Sequence, residues 1–387
     1  MAVYKLFPLQ DASIYSFYPF MNTGIDAIIE AGNLNVNINP VPQVFRYLVE
    51  FDQTEINSVI DNKIGGAQFS SSLRTYIANA QGVDFNTSLE IYPVSGSWNN
   101  GTGTYLDQPQ TTNGVSWRAQ TYSGSGGVNW EIDPNQFDTY VTASWSGSDN
   151  KGGACWYTGS SDTSAQIEAT QSFSLRSVKD LNVNVTDIVK TWYSSSKSIA
   201  GTYTNIVNDG FIVKWEDALE FRTQSAVQPI VQYYSVDTNT IYPPQLEIKW
   251  DDQSFETGSL PAIATADFYA ALDSNPGVFY SESINRFRVN VRPDFPVRTF
   301  QTSSVDTVNH YLNSDSLYAV KDLDTNEYVI NFDPQFTKIS CDSTSNYFDI
   351  YMNGLQPERY YTILIQTTIS GSTIVKDDNY NFKVVNG

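Results

Sequence analysis

A single histidine, His310, stands in Val308-Asn-His-Tyr-Leu312. One imidazole does not make a multi-histidine metal site, and no serine or cysteine nucleophile neighbours it in sequence. Serine–histidine–aspartate chemistry needs that ring beside an activated serine. The chain has no nucleophile elbow, no phosphate-binding loop and no dinucleotide glycine pattern. His310 is therefore expected to be a surface or packed residue. The two cysteines, Cys155 and Cys341, lie far apart, and two free thiols are expected rather than a disulfide framework. Carboxylates are plentiful, so a glycosidase pair is available by residue type. Glu50 and Asp52 flank Phe51, and Glu90 and Glu247 sit between apolar neighbours. Alternation puts all four on an outer, solvated face. No catalytic, cofactor-binding or metal-binding residue is assigned, and the chain is expected not to be an enzyme. A structural calcium would need several oxygens held by turns. Ser146-Gly-Ser-Asp-Asn150 and Asp322-Leu-Asp-Thr-Asn-Glu327 offer such oxygens, but neither follows the helix–loop–helix calcium pattern.

Aromatic side chains are the richer resource. Trp98, Trp117, Trp130, Trp145 and Trp156 fall within one stretch rich in Gly, Asn and Thr. Rings of this size anchor loops, enter protein interfaces or stack on sugars. These five are the candidate interface or glycan-contact residues.

The elements that must carry them are β-strands. Of 387 residues, 41% are apolar and only 17% charged, so Asn, Ser, Thr, Gln and Tyr must supply much of the polar surface. That balance, with 25 Tyr, 21 Phe and 8 Trp, favours strands. The formal net charge is -20, and Lys and Arg are scattered apart from Arg286, Arg288 and Arg292 on one strand. Nucleic-acid binding, which needs a basic patch, is not expected. No run of eighteen apolar residues exists, so no membrane span is expected. The opening Met-Ala-Val-Tyr-Lys-Leu-Phe-Pro-Leu-Gln has no positive region followed by an apolar run. No secretory signal is expected. These traits fit a protein made in a host cytoplasm that reaches its place by assembly, as virion proteins do.

Phe45, Tyr47, Val49 and Phe51 share one face of a strand. Ile25-Asp-Ala-Ile-Ile-Glu-Ala31 fits a short helix or a strand, and 52–60 fits a helical turn. Residues 95–138 read as an ordered insertion pinned by its aromatic rings. Tyr140–Trp145 and Gly153–Trp156 suggest a hairpin. Leu181, Val183 and Val185 alternate, after which Ile188, Val189 and Trp192 change to helical spacing, with Thr186 as the expected cap. Strands follow at Phe211–Trp215, Ile230–Tyr234 and Tyr242–Trp250. Residues 251–262 read as a linker between a domain at 1–250 and a second at 263–387. In the second, 264–272 fits a helix, and at least four strands follow Phe287, Val289 and Val291. Gly354-Leu-Gln-Pro-Glu-Arg-Tyr-Tyr361 has the form of a tyrosine corner, in which the phenol bonds back to nearby backbone. The expected fold is all-β: a jelly-roll-like β-sandwich with long decorated loops, then a smaller immunoglobulin-like sandwich.

An ordered set of motifs over 9–250 resembles the DNRLRE-type β-sandwich family, which is related to some carbohydrate-binding modules. The motifs are Asp11–Ile14 with Asn22-Thr-Gly24, then Arg46 with Phe51-Asp52. Trp98, Thr102, Pro109, Gly114 and Trp117 follow, then Val185-Thr-Asp187 with Trp192, Asn208-Asp-Gly-Phe211, and Pro244-Gln-Leu246 to Trp250. Asp209 stands where the family pattern has tyrosine, and the Gly/Trp-rich middle is enlarged. The resemblance implies a sandwich and carries over no catalytic residue. The whole chain also looks like a structural protein of a tailed phage. That implies a virion location at a neck, tail, baseplate or fibre-attachment site. It also implies other virion proteins as partners, with multiple copies in a symmetric assembly. A glycan-binding module for host-surface recognition is the alternative.

Overall fold

The strand Gln43–Glu50 is buried along nearly its whole length, so both of its faces must be covered. Its two faces do different work. Val44 and Leu48 join a core with Ala12, Ile14, Ile212 and the tryptophans of the Gly-rich insertion. On the other face, Tyr47 meets Tyr233 at 5.8 Å between ring centroids. The described part of the insertion is therefore a second cover for the sheet, with buried rings packed against it, and more than loop decoration.

The computed structural model describes residues 2–34, 43–65, 68–83, 86–123, 126–130, 139–140, 152–157, 167–199, 206–220, 228–296 and 308–387. The described residues are all-β, arranged as sandwiches of antiparallel sheets with three short α-helices. They divide into two compact units. The first holds Leu6–Ile60 and Ser70–Glu247; the second holds Met1–Lys5, Asp61–Phe69 and Ile248–Gly387.

In the first unit an eight-stranded sheet runs Ala169–Phe173, Thr87–Pro93, Phe211–Trp215, Gln43–Glu50, Ile28–Leu34, Ile230–Tyr234 and Ile77–Gln81, with Gln10–Tyr15 added beside Gln43–Glu50. Antiparallel register sets Tyr15 opposite Phe45, Glu30 opposite Gln232, and Gln232 opposite Asn79. A shorter pairing joins Phe69–Thr75 to Leu181–Asn184. The segment 25–31 becomes strand: Ile28–Leu34 pairs along Ile230–Tyr234, and that ladder overrides a helix-compatible spacing. The helix Gln53–Val59 starts at Asp52, whose carboxylate accepts the Thr54 N–H at 2.8 Å. The helix Thr186–Ser196 buries Ile188, Val189 and Trp192 as its spacing requires. Thr186 does not cap it. Its hydroxyl instead accepts the Ser71 N–H at 2.8 Å and ties the helix entry to the neighbouring strand.

The second unit is a two-sheet sandwich. One sheet orders Phe268–Leu272, Ile284–Pro293, Asn346–Tyr351 and Ser340–Cys341. The other orders Val278–Tyr280, Ser372–Val385, Tyr360–Ile369, Leu317–Asp322 and Tyr328–Ile330. Phe287, Val289 and Val291 point inward, and the stack of Phe287, Phe348 and Tyr318 fills the middle, with centroid spacings of 5.7 and 4.3 Å. The tyrosine corner forms: the Tyr361 hydroxyl donates to the Gln356 carbonyl at 2.9 Å.

Three expectations change here. The alanine-rich 264–272 stretch is not helical, because Phe268–Leu272 pairs with Ile284–Pro293. Residues 251–262 do not behave as a linker. Cys341 N–H donates to Ser254 O, Glu256 N–H to Cys341 O, and Ala262 bridges Tyr311. The 1–250 boundary also shifts, since the opening strand Ala2–Leu6 gives its first residues, through Lys5, to the second unit. There Lys5 Nζ donates to Val329 O, and Asn353 Nδ2 donates to Lys5 O.

Candidate functional site

Gly32 sits on the strand Ile28–Leu34, opposite Phe45 on one neighbouring strand and Ile230 on the other. A Cβ there would lie 2.4 Å from Phe45 Cζ and 3.1 Å from Ile230 Cγ1. Only glycine lets the Phe45 ring lie across the strand, and that ring floors a cleft of about 480 Å³ on the first unit. This volume lies within the ordinary range for small-ligand sites.

The cleft has an aromatic wall and a polar wall. Tyr15, Phe17, Phe45 and Tyr105 supply rings, and Asp26, Glu30, Gln81 and Gln232 supply polar groups. Tyr15 stacks on Phe45 at 5.6 Å and tilts against Tyr105 at 5.1 Å. Phe17 meets Tyr15 edge-on at 5.5 Å. The Tyr15 hydroxyl donates to Glu30 Oε1 at 2.6 Å, and Gln232 Nε2 donates to Glu30 Oε2 at 2.7 Å. Asn79 Nδ2 in turn holds Gln232 Oε1 at 2.9 Å. Burial and the Glu30 charge push the Tyr15 phenol well above its ordinary range, so it stays a donor.

Tyr105 is 41% exposed and comes from the insertion. Its backbone N–H donates to Asp26 Oδ2 at 2.9 Å. Burial raises the Asp26 carboxyl to about 6, with Glu30 and Asp107 adding repulsion and the Tyr105 N–H opposing them. Asn22 sets the path of this loop. Its Nδ2 donates to Asn100 O and Val115 O, and its Oδ1 accepts from Gly24 and Gly103 N–H groups. The Asn22-Thr-Gly24 turn thus carries Tyr105 to the cleft mouth.

The five candidate tryptophans are elsewhere. Trp98, Trp117, Trp130 and Trp156 are buried, and Trp145 lies outside the described residues. Trp98 Nε1 donates to Asp209 O at 2.8 Å, and Trp130 Nε1 to Ser116 O at 3.0 Å. Trp117 and Trp156 each pack against the Arg46 guanidinium, at 5.0 and 5.1 Å. Arg46 is itself buried and paired in two places with Glu220. A ring that stacks on sugar needs an open face, so these four anchor the insertion and do not form a glycan platform.

The carboxylates also separate. Asp52 caps a helix, and Glu90 pairs with Lys214. Glu247, expected on a solvated face, is buried against Arg74 at 2.9 Å. Asp322 of the candidate calcium loop is bound by Arg359 through both oxygens, so an internal cation holds that turn. The 146–150 loop lies outside the described residues. Among the described residues, no group of three His, Cys, Asp or Glu could hold a metal ion. Cys155 and Cys341 are both buried, and neither is in a disulfide. His310 Nδ1 lies 3.1 Å from Val308 O.

Sequence reasoning missed the cleft. Two signals were available: the dense Tyr15-Ser-Phe-Tyr-Pro-Phe20 run, and Glu30 as the lone charge inside Ala27-Ile-Ile-Glu-Ala31. Neither says that Phe45, Tyr105 and Gln232 converge on them.

Among the described residues no helix is long and apolar enough to cross a membrane. No protein-family model and no curated protein matches the chain. Among solved structures, the β-glucuronidase of Parabacteroides merdae is similar at 10% identity and a TM-score of 0.17, covering 96% of this chain and 36% of that one. The chain spans little more than a third of that enzyme, and a likeness at this TM-score carries no argument about fold or function.

Proposed function

We propose that the first unit is a non-enzymatic binding module that holds a carbohydrate in the cleft floored by Phe45. The observation that carries this reading is the pairing of one open ring, Tyr105, backed by the buried Tyr15 and Phe45, with one wall of fixed acceptors. Sugar rings present an apolar face that stacks on Tyr or Phe, and an edge of hydroxyls that seeks carboxylate and amide oxygens. Both Glu30 oxygens already accept hydrogen bonds, from Tyr15 and Gln232. Such a carboxylate suits a fixed acceptor better than a nucleophile. A glycan array probed with the full chain tests the reading. Expected is binding to a defined set of oligosaccharides without their hydrolysis, weakened at least about tenfold in Tyr105→Ala, the loss of one stacking ring being worth ~1.4 kcal/mol or more. Binding unchanged by Tyr105→Ala removes the cleft from the reading, and hydrolysis removes its non-enzymatic part.

The setting we propose is a tailed-phage virion, in which the chain is a structural component docked on other virion proteins. The resemblance of the whole chain to such proteins supports this. So does an apolar margin on the second unit, where Val278, Tyr280, Ile284 and Tyr360 are all exposed. Val278–Tyr280 is an edge strand, pairing only with Ser372–Val385 among the described residues. Edges of this kind receive partner chains. Mass spectrometry of purified particles of the encoding phage checks the setting, and absence of the chain from them ends it.

A further inference from the structure

Charge divides the sugars this cleft can take. Among the described residues its polar lining contains two carboxylates, Asp26 and Glu30, and no lysine or arginine. Asp107 adds a third negative charge to the field at Asp26. The chain as a whole carries a formal net charge of -20, so the field beyond the cleft has the same sign. Asp26 uses Oδ2 for the Tyr105 N–H, while Oδ1 has no protein partner among the described residues. Each Glu30 oxygen accepts one protein hydrogen bond, which leaves a further lone pair on each for a ligand donor. On the opposite wall the exposed Tyr105 ring, backed by the buried Tyr15 and Phe45, presents a π face, and such a face attracts cations.

Resting on the carbohydrate reading above, we propose that the cleft selects an amino sugar with a free, unacetylated ammonium group. The sugar's apolar face lies on the Tyr105 ring, and the ammonium lies between Asp26 and Glu30. Three N–H donors then meet acceptors left open by the protein. An N-acetylated sugar brings no positive charge and has one N–H donor. A uronic or sialic acid brings a carboxylate toward two others.

Titration calorimetry on the full chain tests this with three oligosaccharides of equal length: β-1,4-glucosamine, its N-acetylated form, and an oligouronate. Choline serves as an ammonium probe without a sugar. Expected is binding of the free-amine oligomer about tenfold tighter than the N-acetylated one, with no detectable binding of the uronate. Raising salt from 50 mM to 500 mM should narrow that preference, because a partly open ion pair is screened. Asp26→Asn and Glu30→Gln should each narrow it too, with folding checked by circular dichroism. Asp26 is the safer variant, since Glu30 also holds Tyr15. Equal or tighter binding of the N-acetylated or uronate oligomer overturns the amino-sugar inference and leaves the carbohydrate reading standing. Choline binding as tight as the free-amine oligomer overturns the sugar part of it. No binding of any oligosaccharide by folded protein overturns the inference together with the reading beneath it.

Discussion

Replacing Arg46 with alanine is expected to lower the unfolding free energy of the first unit by about 3–5 kcal/mol, the usual loss when one partner of a buried ion pair is removed. Arg46 has no exposed surface. Its Nε and Nη2 hold both Glu220 oxygens, at 2.6 and 2.7 Å, and its Nη1 donates to Gly153 O at 2.5 Å. Alanine would leave Glu220 buried, with Lys214 Nζ at 3.9 Å as its remaining cation. It would also open a gap between the Trp117 and Trp156 rings, which now close on the guanidinium. Urea unfolding followed by tryptophan fluorescence measures the loss. The double variant Arg46→Met, Glu220→Leu should lose less than Arg46→Ala, because it strands no charge. A single-variant loss below about 0.5 kcal/mol, typical of surface sites, would remove Arg46 as the anchor of the insertion.

Asn22→Ala is the second large effect. Three buried backbone groups and one half-buried one lose their partner at once: the Val115 carbonyl and the N–H groups of Gly24 and Gly103, and the Asn100 carbonyl. Leaving a buried polar group unpaired costs about 1–3 kcal/mol, and partial relaxation makes such terms less than additive. A loss of about 3 kcal/mol is expected. There is little room for the turn to collapse. A Cβ on Gly103 would stand 2.5 Å from Asn22 O, and one on Gly101 2.4 Å from Asn113 O. Because this turn carries Tyr105, cleft affinity should fall with stability. Tyr105→Ala should lose affinity and keep stability, its ring being partly open to solvent. If Asn22→Ala keeps full affinity, the turn does not position Tyr105.

Much of the fold can be read from period alone. Phe211, Val213 and Trp215, or Phe287, Val289 and Val291, alternate strongly enough to fix strand and face together. The change to helical spacing at Ile188, Val189 and Trp192 is equally plain. Residues 25–31 and 264–272 are different. Both satisfy a helical period or carry alanine, and only pairing with distant strands decides them. Local propensity is worth tenths of a kcal/mol per residue and yields to such ladders. The acidic, Gly-bearing 251–262 has linker composition, yet residues 311 and 341 supply its backbone partners. The candidate site was least legible. Tryptophan count marks where rings are abundant, but their exposure turns on Arg46, a charge that alternation alone would send to solvent. The cleft joins Tyr15, Glu30, Phe45, Tyr105 and Gln232 from five segments; strand register brings four of them together, and the loop held by Asn22 brings Tyr105.

The opening strand bears on how the chain is made. Val329 and Asn353, which hold Lys5, are synthesised more than three hundred residues after it. The strand Ala2–Leu6 can pair with Gln245–Trp250 earlier, but its contacts with Val329 and Asn353 must wait until those residues have emerged. Closure over so long a sequence separation slows folding and lengthens exposure to aggregation. A gene fragment cut at residue 250 would express the second unit without residues 2–5 and leave the Tyr351 ring without Tyr4 beside it.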